Sequence, residues 1–154
     1  MTFFPSATAA EPDDAEALPP PAGDTGVLIV DDSRACRGLL VELVQRHGYR
    51  PVAVAGPAEA LLAMASDPSI AVVFSDLCLP YPEAGVEFIR TLRRNFAGVP
   101  VVAVSGFLQE LSPLSEADAP DVVVYKPVRS EQVQRALRLT YVLRMYPKQT
   151  GVTA

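Results

Sequence analysis

Four largely apolar runs recur along the chain, and each is followed at once by a polar or charged side chain. The runs are Val27–Val30, Ala71–Ser75, Val101–Val104 and Val122–Tyr125, and they are followed by Asp31-Asp32, Asp76, Ser105 and Lys126 respectively. Apolar runs of this length, bounded by turn residues, are typical of strands buried on both faces. Because the carboxyl ends of parallel strands meet at one edge of an open sheet, these polar side chains are predicted to converge there.

Segments with helical character separate the strands. Helices are predicted after Ser33 to about His47, from Pro57, from Gly85 to about Phe96, and from Ser130 to about Tyr146, with a short second strand over Pro51–Ala55. Ser33 and Ser130 are residue types that cap helix N-termini, and Gly48 is the type that stops a helix. Alternation of strands and helices favours an α/β fold in which helices cover both faces of a parallel sheet.

The segment between the fourth and fifth predicted strands is the least regular part of this pattern. Pro113 falls where a fourth helix would run, and its ring is incompatible with a helix interior. It either breaks that helix or starts a shorter one capped by Ser112. We therefore expect an irregular or shortened fourth helix.

Charge is distributed unevenly over the 154 residues, whose net charge is −5. The segment 1–24 contains Glu11, Asp13, Asp14, Glu16 and Asp24 but no lysine or arginine, and it includes three consecutive prolines. A segment of this composition buries too little apolar surface to fold on its own. We therefore expect a disordered acidic tail over 1–24, one domain over 25–147 and a short C-terminal tail over 148–154.

Several function classes are disfavoured by the composition. No apolar run approaches the ~20 residues of a membrane span, and no basic residue precedes the first short apolar stretch. Two cysteines and one histidine offer neither a disulfide framework nor a Cys/His metal site, which together predicts a cytoplasmic protein. The basic residues near the end of the chain lack interleaved aromatic clusters and do not indicate a nucleic-acid surface.

The polar residues at the strand ends form a set of short motifs. In order they are Val30-Asp31-Asp32-Ser33, Ser75-Asp76-Leu77-Cys78-Leu79-Pro80, Val104-Ser105-Gly106 and Tyr125-Lys126-Pro127. With these motifs the chain resembles, from about Thr25 to about Pro147, the receiver domain of bacterial two-component response regulators, such as the chemotaxis regulator. The resemblance implies a flavodoxin-like, doubly wound fold with five parallel strands in the order 2-1-3-4-5.

The resemblance also implies a chemistry. Asp76 would accept a phosphoryl group, and Mg²⁺ would be bound by Asp32 directly, by Asp31 mostly through water, by Asp76 and by the backbone carbonyl of Cys78. Ser105 and Lys126 would bind the phosphoryl oxygens, and the bond from Lys126 to Pro127 is usually cis in this family. Carboxylate oxygens are the ligands that Mg²⁺ prefers, which agrees with this assignment.

Two departures from the family pattern affect signal readout. The aromatic switch residue usually stands three positions before the lysine, where this chain has Val123, whereas Tyr125 directly precedes Lys126. We assign the readout to Val123, Tyr125 and Pro127. Gly85 also lies one residue later after Asp76 than in the family pattern.

The last predicted helix carries a second apolar stripe, Leu139, Val142 and Tyr146, apart from the stripe expected to face the sheet. A helix that is apolar on two faces usually has two partners, so we predict a partner surface or a homodimer contact here. Packing within the domain is the competing interpretation. No output domain follows this helix, which predicts a stand-alone receiver that signals through another protein.

These patterns predict a receiver that takes a phosphoryl group from a sensor histidine kinase or a histidine phosphotransfer protein. It would not be an enzyme beyond its own Mg²⁺-dependent phosphorylation and dephosphorylation. A relay intermediate that passes the group to another histidine is a close variant. The alternative from a different class is a protein-binding module that keeps the receiver fold and works without phosphorylation.

Overall fold

A computed structural model describes residues 23–79, 81–106 and 115–146 of the chain. Most of the predicted acidic tail over 1–24, the predicted tail over 148–154 and the predicted interruption at Pro113 lie outside these residues. The described elements are β1 (Gly26–Val30), α1 (Arg34–Arg46), β2 (Arg50–Val54), α2 (Pro57–Ser66), β3 (Ile70–Asp76), α3 (Pro82–Asn95), β4 (Val101–Ser105), β5 (Val122–Tyr125) and α4 (Ser130–Met145).

The five strands form one parallel sheet in the order β2-β1-β3-β4-β5, as predicted. The register aligns the strand ends, since Val30 of β1 pairs with Val54 of β2 and with Ser75 of β3. Asp76 in turn pairs with Val104, and Ser105 pairs with Tyr125. All five strands therefore end at one edge, which is where open parallel sheets bind ligands.

Alternate strand residues face two separate cores. On one face Val27, Ile29 and Phe74 pack against buried residues of α1 and α4. On the other face Leu28 and Val73 join buried residues of α2 and α3. This alternation follows from the two-residue repeat of a strand and explains why the runs are apolar at nearly every position. No helix in the described ranges has both the length and the apolar character that a membrane span requires.

The boundaries of α1 agree with the sequence. Ser33 is its N-cap, and the Ser33 side chain accepts a hydrogen bond from the Cys36 amide at 3.3 Å. Gly48 follows the C-terminal end with a φ of 89°, a left-handed conformation that glycine adopts without strain.

Two predicted helix starts are wrong. Helix α3 begins at Pro82 rather than at Gly85, because proline at the first helical position lacks only an amide that would have no partner there. The N-cap of α4 is Arg129 rather than Ser130, since the Gln132 side chain accepts a hydrogen bond from the Arg129 amide at 2.7 Å. The Ser130 hydroxyl instead lies 3.2 Å from Nε2 of His47.

The connection from β4 to β5 is tied to α3 by two ion pairs. Its described part contains only a three-residue 3-10 helix, Glu116–Asp118, in agreement with the predicted shortened element. Nε of Arg90 lies 3.1 Å from Oδ2 of Asp118, and Nη2 of Arg93 lies 3.0 Å from Oδ2 of Asp121. Asp121 also accepts a hydrogen bond from the Val101 amide at 2.9 Å, so this pairing fixes the start of β5.

Candidate functional site

Backbone hydrogen bonds continue the sheet beyond the strand ends and position the polar residues. The Asp31 amide donates to the Val54 carbonyl at 3.2 Å, one residue past the end of β1. The Lys126 amide donates to the Ser105 carbonyl at 2.9 Å, one residue past the end of β5. Asp31 and Lys126 are thereby held at the carboxyl edge by the sheet itself rather than by free loops.

Three carboxylates meet at this edge. One oxygen from each of Asp31, Asp32 and Asp76 lies within 4.8 Å of the other two. Asp31 and Asp76 are buried, whereas Asp32 is exposed. Buried carboxylates this close repel one another unless a cation or a proton lies between them.

The surroundings of Asp31 fit a bound cation. Its Oδ1 accepts a hydrogen bond from the Ser33 amide at 2.8 Å. Its Oδ2 is buried and has no hydrogen-bond partner. A buried carboxylate oxygen without a donor carries a desolvation cost that a cation would relieve. Three carboxylates in reach of one point form a hard oxygen donor set of the kind that Mg²⁺ takes up.

Asp76 is held by two donors. Its Oδ1 accepts from the Cys78 amide at 3.0 Å, and its Oδ2 accepts from Nζ of Lys126 at 3.3 Å. Burial raises the pKa of the Asp76 carboxyl; the Cys78 amide opposes this shift, while the negative charge of Asp31 adds to it. Burial by itself would lower the pKa of Lys126, but the negative charges of Asp76 and Asp31 and the hydrogen bond to Asp76 act together against it, and the pKa is raised. Lys126 therefore stays charged beside the cluster.

The other predicted site residues lie around this cluster. Ser105 is fully buried at the end of β4, next to β5. Val123 is half-buried and pairs with Ala103, and Tyr125 is exposed at the end of β5. The bond between Lys126 and Pro127 is cis, as the family pattern predicts. The structure thus brings Asp31, Asp32, Asp76 and Lys126 together and leaves Tyr125 at the surface.

A family model described as the response regulator receiver domain matches residues 27–138. The chain belongs to this family. The family prediction is therefore confirmed, and the matched segment contains each of the strand-end motifs. The bacterial origin and the kinship with the chemotaxis regulator stay predictions.

Similar proteins agree with the family. Two-component response regulator ORR7 of Oryza sativa subsp. japonica is 30% identical over 113 residues, which is 71% of this chain and 53% of that protein. ORR8 of Oryza sativa subsp. indica is 27% identical over 116 residues, covering 73% of this chain and 94% of that protein. This receiver thus spans about half of the first relative and nearly all of the second. Response regulator TrrA of Thermotoga maritima, solved with Mg²⁺ and BeF, has a TM-score of 0.66 at 24% identity over 75% of this chain and 98% of its own.

Two residues near Asp31 were missed by the sequence reasoning. Burial raises the pKa of the Cys36 thiol to about 11, and a hydrogen bond to Asp31 acts in the same direction. Nη1 of Arg37 donates to the backbone carbonyl of Asp31 at 2.7 Å and holds the β1–α1 loop of the receiver. Their spacing from Ser33 could have indicated them. Cys36 and Arg37 lie three and four residues after this N-cap, one helical turn along, on the face that looks back towards the end of β1. A thiol with a raised pKa is a poor nucleophile, which argues against a nucleophilic role for Cys36.

Gly85 fixes α3 against the segment behind Asp76. A Cβ atom at Gly85 would lie 1.9 Å from the Leu77 carbonyl oxygen and 2.5 Å from its carbon. Only glycine permits such a close backbone approach. Leu77 directly follows Asp76, and its amide donates to the Val104 carbonyl at 3.2 Å. The contact therefore links helix α3 to the backbone that carries the acidic cluster.

The second stripe on the last helix is exposed. Leu139, Val142 and Tyr146 are all exposed, while Val133 and Leu137 are buried against the sheet. Packing of the stripe within the described domain is thus not observed. Arg144 of the same helix does not flank the stripe: its guanidinium carbon is 5.6 Å from the Tyr141 ring centroid, and its Nη1 is buried.

Proposed function

We propose that this receiver accepts a phosphoryl group on Asp76 from a phosphohistidine of a sensor kinase or phosphotransfer protein. The observation that carries the proposal is the meeting of three carboxylates within 4.8 Å, with the Lys126 ammonium 3.3 Å from Asp76. A phosphoryl acceptor needs an anionic nucleophile together with cations that neutralise the transferred group. Membership of the two-component family supports a histidine donor.

Mg²⁺ would be held by Asp31, Asp32, Asp76 and the backbone carbonyl of Cys78. Bound there, it would neutralise charge on the phosphoryl oxygens. Two observations support the assignment: the buried Oδ2 of Asp31 lacks a partner, and TrrA, which shares the fold, was solved with Mg²⁺ and BeF.

The chain's own groups would act in the transfer as follows. A carboxylate oxygen of Asp76 attacks phosphorus, a P–O bond forms, and the P–N bond to the donor imidazole breaks. The imidazole leaves and ends neutral by taking up a proton from solvent. Lys126 and the buried Ser105 hydroxyl would bind the phosphoryl oxygens from the side of β4 and β5.

The signal would leave through protein contacts rather than through chemistry on another substrate. We propose that residues 25–147 form a stand-alone cytoplasmic receiver, that Val123, Tyr125 and Pro127 take part in the readout, and that Leu139, Val142 and Tyr146 contact a downstream partner or a second copy. The exposure of that stripe supports the last assignment.

Beryllofluoride, a phosphoryl mimic, tests this proposal without a kinase. Calorimetric titration in the presence of Mg²⁺ is expected to show one saturable site that is absent without Mg²⁺. Lys126→Ala should weaken this binding at least about tenfold, since hydrogen bonds to charged groups contribute about 1.5–3 kcal/mol. The matched control is Lys148→Ala, at the chain's only other lysine. A lack of binding by the folded parent would favour the phosphorylation-independent module instead.

Removal of the exposed metal carboxylate should weaken Mg²⁺ binding. Asp32→Asn is expected to lower Mg²⁺ affinity at least about tenfold, because even the partners of metal ligands typically contribute 10–100-fold. Calorimetry or Mg²⁺-dependent NMR shifts would measure it, with Glu59→Gln on α2 as a control carboxylate. Equal dissociation constants for Asp32→Asn and the parent would remove Asp32 from the site.

Readout should not depend on a ring at position 123. Val123→Ala is expected to lower the free energy of unfolding by about 1 kcal/mol, because a half-buried valine loses two methyl groups. Its beryllofluoride affinity should stay within about twofold of that of the parent. This is well below a tenfold change, which corresponds to about 1.4 kcal/mol. Tyr125→Ala is the paired variant for comparison. A tenfold or larger loss of affinity confined to Val123→Ala would refute this view of the departure.

A further inference from the structure

The acidic N-terminal segment and helix α4 carry opposite charge. Residues 1–24 contain five acids and no lysine or arginine. The described residues from 126 onwards contain Lys126, Arg129, Arg135, Arg138 and Arg144 and, as their one acid, Glu131. The segment also contains Phe3-Phe4, two aromatic side chains in a composition otherwise rich in alanine, proline and acids. Charge and apolar groups are thus both available for a contact between the two.

The outward face of α4 offers the matching surface. Leu139 is 44% exposed, Val142 39% and Tyr146 75%, and Met145 beside them is 50% exposed. At 100° per residue, Arg135 falls on the same face as Leu139, Val142 and Tyr146. An apolar patch with a basic edge favours an acidic partner with apolar anchors.

The N-terminal segment joins the domain close to α4. The Thr25 carbonyl accepts a hydrogen bond from the Arg50 amide at 2.9 Å, so Thr25 lies beside Tyr49 and Arg50. Tyr49 lies in the same buried cluster as Val133, Ala136 and Leu137 of α4. Helix α4 therefore packs close to the point where the segment begins.

The reach of the segment is sufficient. Glu16 lies nine residues before Thr25, and nine extended residues span up to about 30 Å. Helix α4 has 16 residues and is about 24 Å long. The acids at 11–16 can thus reach any turn of α4 without displacing the described domain.

Among the described residues, a second exposed apolar region is more acidic and suits this occupant less. A groove of about 400 Å³ between α2 and α3 is lined by Leu61, Tyr81 and Phe88. Its lining also includes Glu83 and Glu87, and α2 carries Glu59 in its first turn. Arg90 and Arg94 lie 4.0 and 3.9 Å from Glu87 and offset part of this charge, so the groove attracts the acids at 11–16 less than the basic face of α4 does.

We propose that the N-terminal segment 1–24 docks on the outward face of α4, with its acids on the basic edge and Phe3-Phe4 on the patch formed by Leu139, Val142 and Tyr146. Docking there covers the surface assigned to a downstream partner, so the segment acts as an intramolecular competitor. The competitor role rests on the proposed function. Docking itself does not, and it is testable in the unphosphorylated chain.

A tryptophan reporter on the patch tests docking directly, because the chain contains no tryptophan. Tyr146→Trp places the reporter at the patch, and Leu62→Trp, at a position 71% exposed on α2, serves as the control. Each reporter is made in the full chain with the natural segment and with Glu11→Gln, Asp13→Asn, Asp14→Asn and Glu16→Gln together. Acrylamide quenching of fluorescence is then measured at low salt and at 1 M NaCl over a range of protein concentrations.

With docking, neutralising the four acids raises the quenching constant of the Tyr146→Trp reporter about twofold or more, as expected when the docked state holds at least half of the population. Salt at 1 M, where the Debye length is about 3 Å, should act in the same direction. The Leu62→Trp reporter should respond to neither change.

Equal quenching of the Tyr146→Trp reporter with and without the four acids would overturn the proposal. Protection that rises with protein concentration would overturn it in favour of a second copy. Loss of beryllofluoride binding would instead concern the proposed function alone.

Discussion

Asp76→Asn is expected to abolish covalent phosphorylation of this receiver. The amide lacks the anionic oxygen that attacks phosphorus, and it removes the charge that pairs with Lys126 at 3.3 Å. Asp31 and Asp32, the other two carboxylates of the cluster, are assigned to Mg²⁺ and are not expected to replace it. After incubation with acetyl phosphate and Mg²⁺, intact-mass measurement should show one added phosphoryl group in the parent and none in the variant.

Asp67→Asn is the matched control for this experiment. Asp67, like Asp76, is paired with a basic side chain, 2.9 Å from Arg50, but it is half-buried and lies outside the acidic cluster. Its substitution should leave labelling at the parent level. Labelling of Asp76→Asn equal to that of the parent would show that Asp76 is not the acceptor.

Gly85→Ala should cause the largest loss of stability among single methyl additions to the described chain. The new Cβ would lie 1.9 Å from the Leu77 carbonyl oxygen, which belongs to backbone and cannot rotate away. Either α3 or the segment after Asp76 must shift, and overpacking of this kind costs about 3 kcal/mol. The free energy of unfolding from urea titration, followed by circular dichroism, would measure the loss.

Gly38→Ala provides the opposite control. Gly38 lies inside α1, and nothing is within 4 Å of a Cβ built there. The substitution should stabilise the receiver by up to about 1 kcal/mol through helix propensity. If Gly85→Ala unfolded at the same urea concentration as the parent, the close approach to Leu77 would be refuted.

The strands and the polar residues at their ends were predictable from the order of residues along the chain, whereas the strand order 2-1-3-4-5 came from the family resemblance. Each apolar run predicts a strand, and the residue after each run predicts which polar side chain lies at the carboxyl edge of the sheet. Asp31, Asp76 and Lys126 therefore came together as predicted once the strand order was known. The second apolar stripe on α4 could likewise be predicted from the helical repeat, which places Leu139, Val142 and Tyr146 on one face.

The remaining features depend on geometry that the residue order does not show. Helix α3 starts three residues earlier than predicted, because Gly85 serves close packing on Leu77 and not the end of a loop. The pairing of Arg93 with Asp121 joins residues far apart in the sequence and requires the packed structure. Arg144 is on the same helix as the outer stripe. It lies five residues after Leu139, which places it on a different face of the helix, beside Tyr141.

The most direct test of the central claim is to locate the phosphoryl group in the unmodified chain. Treatment with acetyl phosphate and Mg²⁺, followed by borohydride, converts an aspartyl phosphate to homoserine, which peptide mass spectrometry can place. We predict homoserine at position 76 alone, and none when Mg²⁺ is omitted. Homoserine at any other aspartate, or none in a chain that binds Mg²⁺, would contradict the account.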